Sequence, residues 1–523
     1  MDQAPQLTSE TRSHDAPLLH WGEPPVTRDR EIELKLVLDE ADAERLRAHP
    51  ALAGVQGRTA RQVSTYYDTP DGALRAAGFS LRVRKSKGRY LQTVKQQGHE
   101  AAGLFDRPEW EEKVEGAEPD LDLAARTPLG PHLDKRTCKR LKPLIRSDME
   151  RTTWRLKAEG AEIEATLDEG MVTGGKGRER IAELELELKS GRADALIGFA
   201  RELAESIPLR LGVLTKAERG YRLADKAVGQ AVKAERILLA PDMTGAEGFA
   251  AIAASCLRQF RLNETIVAAT QDAAALHQSR VAMRRLRSAF SVFRPIIADE
   301  AFASVREEVR WFTEQLGDAR NLDVLLKRAP RGRHANAGDA ELTRALEAAR
   351  TRAYAKVLDA LASPRLRRMM LDLVGWVETG AWRESETAQR PLAPFARARL
   401  DKRWRKVRKG GRDLQQLDPD PLHRLRIEVK KLRYAVEFFA SLEQRDEAIA
   451  RRKALSAALE DMQEHLGELN DLETARALLT SLVPAEAMQG ADQWLRPITP
   501  AESPIDAADE AYRRLVEAGP FWR

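Results

Sequence analysis

From residue 30 to about residue 189, apolar and polar residues alternate with a period near two, the spacing that sends successive side chains to opposite faces of a strand. The pattern predicts strands over 31–38, 62–68, 79–85, 90–96, 107–114, 146–157, 162–168 and 181–189. Turn formers such as Thr69-Pro70-Asp71-Gly72, Ser86-Lys87-Gly88 and Gly174-Gly175 part them. Helical spacing interrupts the run at 41–48, 121–138 and 192–206. So many antiparallel candidates in succession imply a closed barrel or tunnel, which leaves no exposed edge. After about residue 225 the alternation stops and apolar residues recur at helical spacing to about 482, with loose stretches near 329–338 and 484–504. The predicted class is α+β: an eight-stranded antiparallel β tunnel, then an all-α helical bundle.

The polar faces of the strands carry unusual residues. Glu31, Glu33 and Lys35 share one face; Arg82 and Arg84 share another, with Lys95 ending the next strand; Glu109 and Glu111 share a face, as do Glu183, Glu185 and Glu187. Taken alone, each set reads as an ordinary solvated face. Together they leave too few Leu, Val and Ile to fill a barrel, because strand 62–68 offers only Val63, Thr65 and Tyr67 on one side. An interior of carboxylates, ammonium and guanidinium groups accounts for the pattern better. Such an interior is stable only if it is filled by something charged, since an unpaired buried charge costs several kcal/mol.

Composition narrows the class. The chain has 523 residues, too many for one core, with 43% hydrophobic and 32% charged residues and a formal net charge of +5, which suits an anionic partner. Cys138 and Cys256, distant in sequence, argue against a disulfide scaffold and for a reducing compartment. No apolar run reaches the roughly 18 residues of a membrane helix, and the first 28 residues lack the apolar core of a signal peptide. The reading is a cytoplasmic protein without a membrane partner, divided into a disordered tail at 1–28, a tunnel domain at 29–225, a linker at 226–244 and a helical domain at 245–523.

Glu31-x-Glu33-x-Lys35 opening a run of strands resembles the signature of the CYTH superfamily, the triphosphate tunnel metalloenzymes. The likeness extends through Tyr66-Tyr67-Asp68-Thr69-Pro70, Arg82-x-Arg84, Thr93-Val94-Lys95, Leu167-Asp168-Glu169, Glu183-x-Glu185 and Lys216 in Leu214-Thr215-Lys216-Ala217-Glu218-Arg219. The resemblance implies a tunnel that holds a triphosphate. Lys35, Arg82, Arg84, Lys95, Arg151 and Lys216 would bind phosphate oxygens, while Glu31, Glu33, Asp168, Glu183 and Glu185 would hold one or two Mg²⁺ or Mn²⁺ ions. Glu31, Glu33, Lys35 and Lys95 are the expected catalytic residues, with Glu31 and Glu33 facing Glu183 and Glu185 across the tunnel. Glu109, Glu111, Lys113 and Glu187 are divided between the lumen and solvent.

The helical half repeats itself. His277, Arg280, Arg284, Arg285 and Arg287 recur at one constant offset as His423, Arg426, Lys430, Lys431 and Arg433, and Leu316-Gly317-x-x-Arg320-Asn321-Leu322-Asp323 is echoed by Leu466-Gly467-x-x-Asn470-Asp471-Leu472-Glu473. An internal two-fold repeat is therefore expected. On a helix His277, Arg280, Arg284 and Arg287 fall in a stripe roughly 80° wide, opposite Met283, Leu286, Phe290 and Phe293. Solvated faces normally mix charge signs, whereas these stripes are cationic twice over. The segments resemble the CHAD domain, a conserved histidine α-helical domain, which implies binding of inorganic polyphosphate through all ten repeated basic residues. A metal role for His277 and His423 is disfavoured because no His, Cys or carboxylate lies four residues on. Nucleic acid is disfavoured because no aromatic residues interleave with the stripes.

The combined expectation is metal-dependent hydrolysis of inorganic triphosphate to pyrophosphate and phosphate, with polyphosphate granules as a candidate location. The alternatives are a class IV adenylate cyclase and a non-catalytic polyphosphate-binding adaptor.

Overall fold

The computed structural model describes residues 29–329, 337–482, 494 and 503–523. The expected N-terminal tail and most of the two loose stretches lie outside the described residues. The strands are β1 (Asp29–Val37), β2 (Arg58–Asp68), β3 (Phe79–Ser86), β4 (Arg89–Gln96), β5 (His99–Ala101), β6 (Leu104–Val114), β7 (Lys142–Ala158), β8 (Ala161–Gly174), β9 (Gly177–Ser190) and β10 (Arg210–Leu211). Eight of them form a closed ring in the order β1-β9-β8-β7-β2-β3-β4-β6, completed where β6 pairs back to β1. Each neighbouring pair in the ring is antiparallel. All eight expected strands are present. The short β5 and β10 are appended to β6 and β1.

The barrel is charged inside and apolar outside. Leu34 and Leu36 of β1, Ile163, Ala165 and Leu167 of β8, and Leu184 and Leu186 of β9 point outward and are buried. They pack beneath α1 (Glu40–Arg47), which buries Leu46, and α5 (Asp194–Ala204), which buries Leu196, Phe199 and Leu203. On the other wall Leu81, Val83, Val94 and Trp110 meet Leu74 of α2 (Ala73–Ala76) and Ala124 of α3 (Leu121–Ala125). The expected helix at 121–138 is broken into α3 and α4 (Lys135–Arg140), each starting at an aspartate cap, Asp120 and Asp134.

A further helix, α6 (Lys216–Ala224), lies across one end of the barrel. A capping box starts it, the Thr215 side chain accepting from the Glu218 backbone and the Glu218 carboxylate accepting from the Thr215 backbone. It seats closely, for a Cβ at Gly220 would lie 2.2 Å from Cγ2 of Ile145 in β7.

The second half is helical: α7 (Gly245–Thr270), α8 (Ala273–Ile297), α9 (Phe302–Gln315), α10 (Gly317–Lys327), α11 (Ala337–Ala362), α12 (Pro364–Thr379), α13 (Glu386–Gln389), α14 (Leu392–Gly410), α15 (Pro419–Phe438), α16 (Asp446–Leu482) and α17 (Pro504–Ala518). The repeat noted in the sequence falls on α8 and α15, which pack against each other. Phe249 of α7, Phe290 and Phe293 of α8 and Trp376 of α12 form an aromatic cluster with ring centroids 5.5–6.1 Å apart for the pairs Phe249–Phe293, Phe290–Trp376 and Phe249–Phe290. One hydrophobic core runs from Leu34 and Leu36 on the barrel to Phe249, Ala253 and Leu257 on α7. Among the described residues no helix is long and apolar enough to cross a membrane.

Candidate active site

Strand alternation delivers the charged side chains to one lumen. Glu31, Glu33 and Lys35 of β1, Arg82 and Arg84 of β3, Lys95 of β4, Glu109 and Glu111 of β6, Arg151 of β7, Asp168 of β8 and Glu185 and Glu187 of β9 line a cavity of about 1720 Å³, joined by Lys216 from α6. Lys113 is exposed and lies outside that lining. Arg107 and Tyr66 also line the cavity and were not among the expected site residues. Arg107 had a signal, for 107, 109 and 111 continue one alternating face.

The lumen is ion-paired with itself. Lys216 Nζ lies 2.6 Å from Glu183, 2.8 Å from Glu185 and 2.8 Å from Asp168. Lys35 bonds Glu185 and sits 3.2 Å from Glu183, and Arg151 reaches Asp168 and, at 2.9 Å, Glu185. A second knot joins Glu31 to Lys95 at 2.5 Å and to Arg107 at 3.3 Å, with Arg107 2.6 Å from Glu33 and Lys95 3.2 Å from Glu109. The expectation that Glu31 and Glu33 face Glu183 and Glu185 across the tunnel is corrected: β1 and β9 are hydrogen-bonded neighbours, with Lys35 opposite Glu185 and Glu33 opposite Glu187. Face sharing within one strand is legible from alternation, but which strands are neighbours is not.

Burial alone would raise the pKa values of Glu31, Asp168 and Glu185, yet the adjoining cations hold all three below the ordinary carboxylate range. Burial, with Arg82 and Arg151 nearby, pushes Arg84 down to about 10. Nε of Arg82 and Nε of Arg84 are buried without a hydrogen-bond partner. These cations therefore have donor capacity that the protein does not use.

Asp168, Glu183 and Glu185 each bring a carboxylate oxygen within 4.8 Å of the others, and Oε2 of Glu183 is buried without a hydrogen bond, its nearest cation being Arg219 at 3.8 Å. An all-oxygen, triply anionic set with an unused lone pair fits a hard divalent cation. Glu31 and Glu33 lie outside this triad, held by Lys95 and Arg107.

In the helical half, the stripes of α8 and α15 meet. Burial, and then Arg426, Arg284, Arg280 and Arg433, lower Lys430 to about 7. His277 is lowered to about 4 by burial and by Arg320, Arg284, Lys327 and Arg280. Arg280 donates to the Gly317 carbonyl at 2.8 Å and to Asn321 at 3.3 Å, so the Leu-Gly-x-x-Arg-Asn-Leu-Asp segment forms the adjoining wall. Side chains of Asn470, Asp471, Leu472 and Glu473 in its echo lie outside the described residues. His423 is exposed, unlike half-buried His277, and Arg287 is exposed as well. Two expected groove residues are corrected. Arg285 is fully buried, donating to Glu437 at 2.7 Å and Gln259 at 2.9 Å, because it lies about 100° around the helix from Arg284. Lys431, rotated the same way, pairs with Glu428 at 2.9 Å instead of joining the stripe.

Comparison with known proteins agrees with this division. The family model for the CYTH domain matches residues 29–221, and that for the CHAD domain matches residues 251–480. The chain joins a CYTH domain to a CHAD domain. An inorganic triphosphatase of Haemophilus influenzae is 31% identical over 163 residues, which is 31% of this chain and 46% of that protein, so the chain matches about half the relative's length. The crystal structure of a CHAD domain from the plant Ricinus communis is 32% identical, covering 54% of this chain and 96% of that one with a TM-score of 0.48. A Hippeastrum protein described as an adenylyl cyclase with a dominant triphosphatase activity is 20% identical, covering 38% of this chain and 96% of its own with a TM-score of 0.27. The CYTH barrel thus carries the self-paired lumen, and the CHAD helices carry the cationic groove.

Proposed function

We propose that the CYTH tunnel hydrolyses inorganic triphosphate to pyrophosphate and phosphate with Mg²⁺ or Mn²⁺, and that the CHAD groove binds inorganic polyphosphate. The observation that carries the first part is the barrel lumen lined by Lys35, Arg82, Arg84, Lys95, Arg107, Arg151 and Lys216, of which Lys35, Arg151 and Lys216 pair with an acidic triad. Arginine forks and lysine point charges match the oxygens of a linear phosphate chain. The similarity to an inorganic triphosphatase supports the choice of substrate.

On this reading Asp168, Glu183 and Glu185 would hold a divalent cation, which would supply charge neutralisation and acidify water for the attack. Glu31 and Glu33 would be available as further ligands if phosphate oxygens took over Lys95 and Arg107, which now pair with them. Arg82 and Arg84 turn their unused Nε–H groups to the substrate. A water oxygen attacks a terminal phosphorus in line and loses its proton to solvent, the bridging P–O bond breaks with its electron pair left on the departing pyrophosphate, and Lys35 and Lys95 stabilise that charge. For the CHAD domain, the facing stripes of α8 and α15 bring like charges together, a geometry that an extended polyanion relieves.

Phosphate release measured across triphosphate, longer polyphosphates, nucleoside triphosphates and thiamine triphosphate tests the tunnel. Triphosphate with Mg²⁺ or Mn²⁺ is expected to give equal phosphate and pyrophosphate. Cyclic AMP from ATP would instead make the tunnel a cyclase, and no turnover of any substrate would leave a non-catalytic binder. Retention on immobilised polyphosphate should weaken steeply with salt, and salt-insensitive retention would overturn the groove.

A further inference from the structure

Lys216 sits at the first position of α6, where the partial positive charge of a helix N-terminus disfavours a cation. Something must hold that turn in place. Glu218, two residues on, spends Oε2 on its own cap, accepting from Thr215 N at 2.8 Å and Thr215 Oγ1 at 2.9 Å. Its Oε1 accepts from Arg258 at 2.5 Å, and Arg258 belongs to α7 of the CHAD domain. The same guanidinium donates to the carbonyl of Val213, and Arg261, one turn further along α7, donates to the carbonyl of Leu211 at 3.0 Å. The turn that carries Lys216 is therefore held to a CHAD helix at three points, the Leu211 and Val213 carbonyls before it and Glu218 after it. It is also bound to β1, through Gly212 N to the Lys35 carbonyl at 2.8 Å.

We propose that Arg258 of the CHAD domain is a positioning residue for tunnel chemistry: by clamping Glu218 and the Val213 carbonyl it holds Lys216 among Asp168, Glu183 and Glu185. The tunnel site is then completed by the helical domain, and the domain pair works as one catalytic unit. Gln259, the next residue on α7, accepts from Arg285 of α8, which in turn holds Glu437 of α15, so the clamp adjoins the helices that carry the cationic groove. This inference rests on the triphosphatase reading of the tunnel.

The test is a double-mutant cycle on the full chain, using Arg258→Met and Lys216→Met, read both in triphosphate turnover and in calorimetric affinity for triphosphate. Arg258→Met is expected to lower turnover about tenfold in the wild-type background and to change little once Lys216 is gone, while Arg258→Lys restores part of the loss. Retention on polyphosphate should be unchanged in Arg258→Met, which shows that the helical domain is still folded; Glu218→Gln offers a milder second variant with the same expected direction. Equal losses in both backgrounds, or none in either, would overturn the positioning role. Wild-type protein that binds triphosphate without hydrolysing it would sink the hydrolase reading alone, because the affinity cycle still decides Arg258. Wild-type protein that does not bind triphosphate would overturn both.

Discussion

Arg284 and Arg285 are adjacent in the chain and end in different environments. Arg284 faces Lys430 in the groove, whereas Arg285 is fully buried against Glu437 and Gln259. Arg285→Ala strands two polar partners and should cost about 3 kcal/mol in urea denaturation, with polyphosphate retention falling only as folded protein is lost. Arg284→Glu should instead leave stability within about 0.5 kcal/mol and weaken retention roughly tenfold. Lys430 adds a pH signature. Its folded pKa of about 7 lies below the ordinary lysine value of 10.5, so between those pH values the unfolded chain binds the extra proton and this group's contribution to stability rises with pH. A bound polyanion reverses the depression. Polyphosphate binding near pH 8 should therefore take up a proton and weaken as pH rises, seen by calorimetry in buffers of different ionisation enthalpy and absent in Lys430→Met.

At the scale of elements, the eight ring strands were legible because each keeps its charges on one face and its aliphatics on the other, over enough residues to exceed chance. Helix α6 was not, though its Thr215-x-x-Glu218 capping box stood in the sequence, because nine residues give too little periodicity to stand out beside a run of strands. Helix α17 was likewise missed, beginning at Pro504 just beyond a polar stretch. The site was legible to the extent that alternation determined it: the inward charges of β1, β3 and β9 were found, while Arg107 and the pairing of β1 with β9 depend on register between distant segments. The seating of α6 can be tested. Gly220→Ala puts a methyl 2.2 Å from Ile145 Cγ2 and should destabilise the protein by about 1–3 kcal/mol while lowering triphosphate turnover beyond the loss of folded protein. Turnover that merely tracks stability would show that α6 does not place Lys216.

For the whole molecule, the continuous core from Leu36 to Phe249 and the arginine clamps of α7 tie the two domains together, and the expected outcome is that they unfold as one unit. Scanning calorimetry should show a single transition, and a chain ended after Asp225 should melt well below it; two separate transitions would mean the interface contributes little. None of this was readable from the sequence, where the two halves differ in period and composition and carry no mark of contact.

The paired lumen has a further consequence for which molecules the tunnel retains. Lys35, Lys216 and Arg151 already pair with Asp168, Glu183 and Glu185, so a guest must offer more anionic charge than the lattice it disrupts. Triphosphate meets that threshold on the proposed reading, and its two shorter products do not. If the tunnel cuts the chain as proposed, re-formation of the same ion pairs would favour release of the products, so turnover should be limited little by product inhibition.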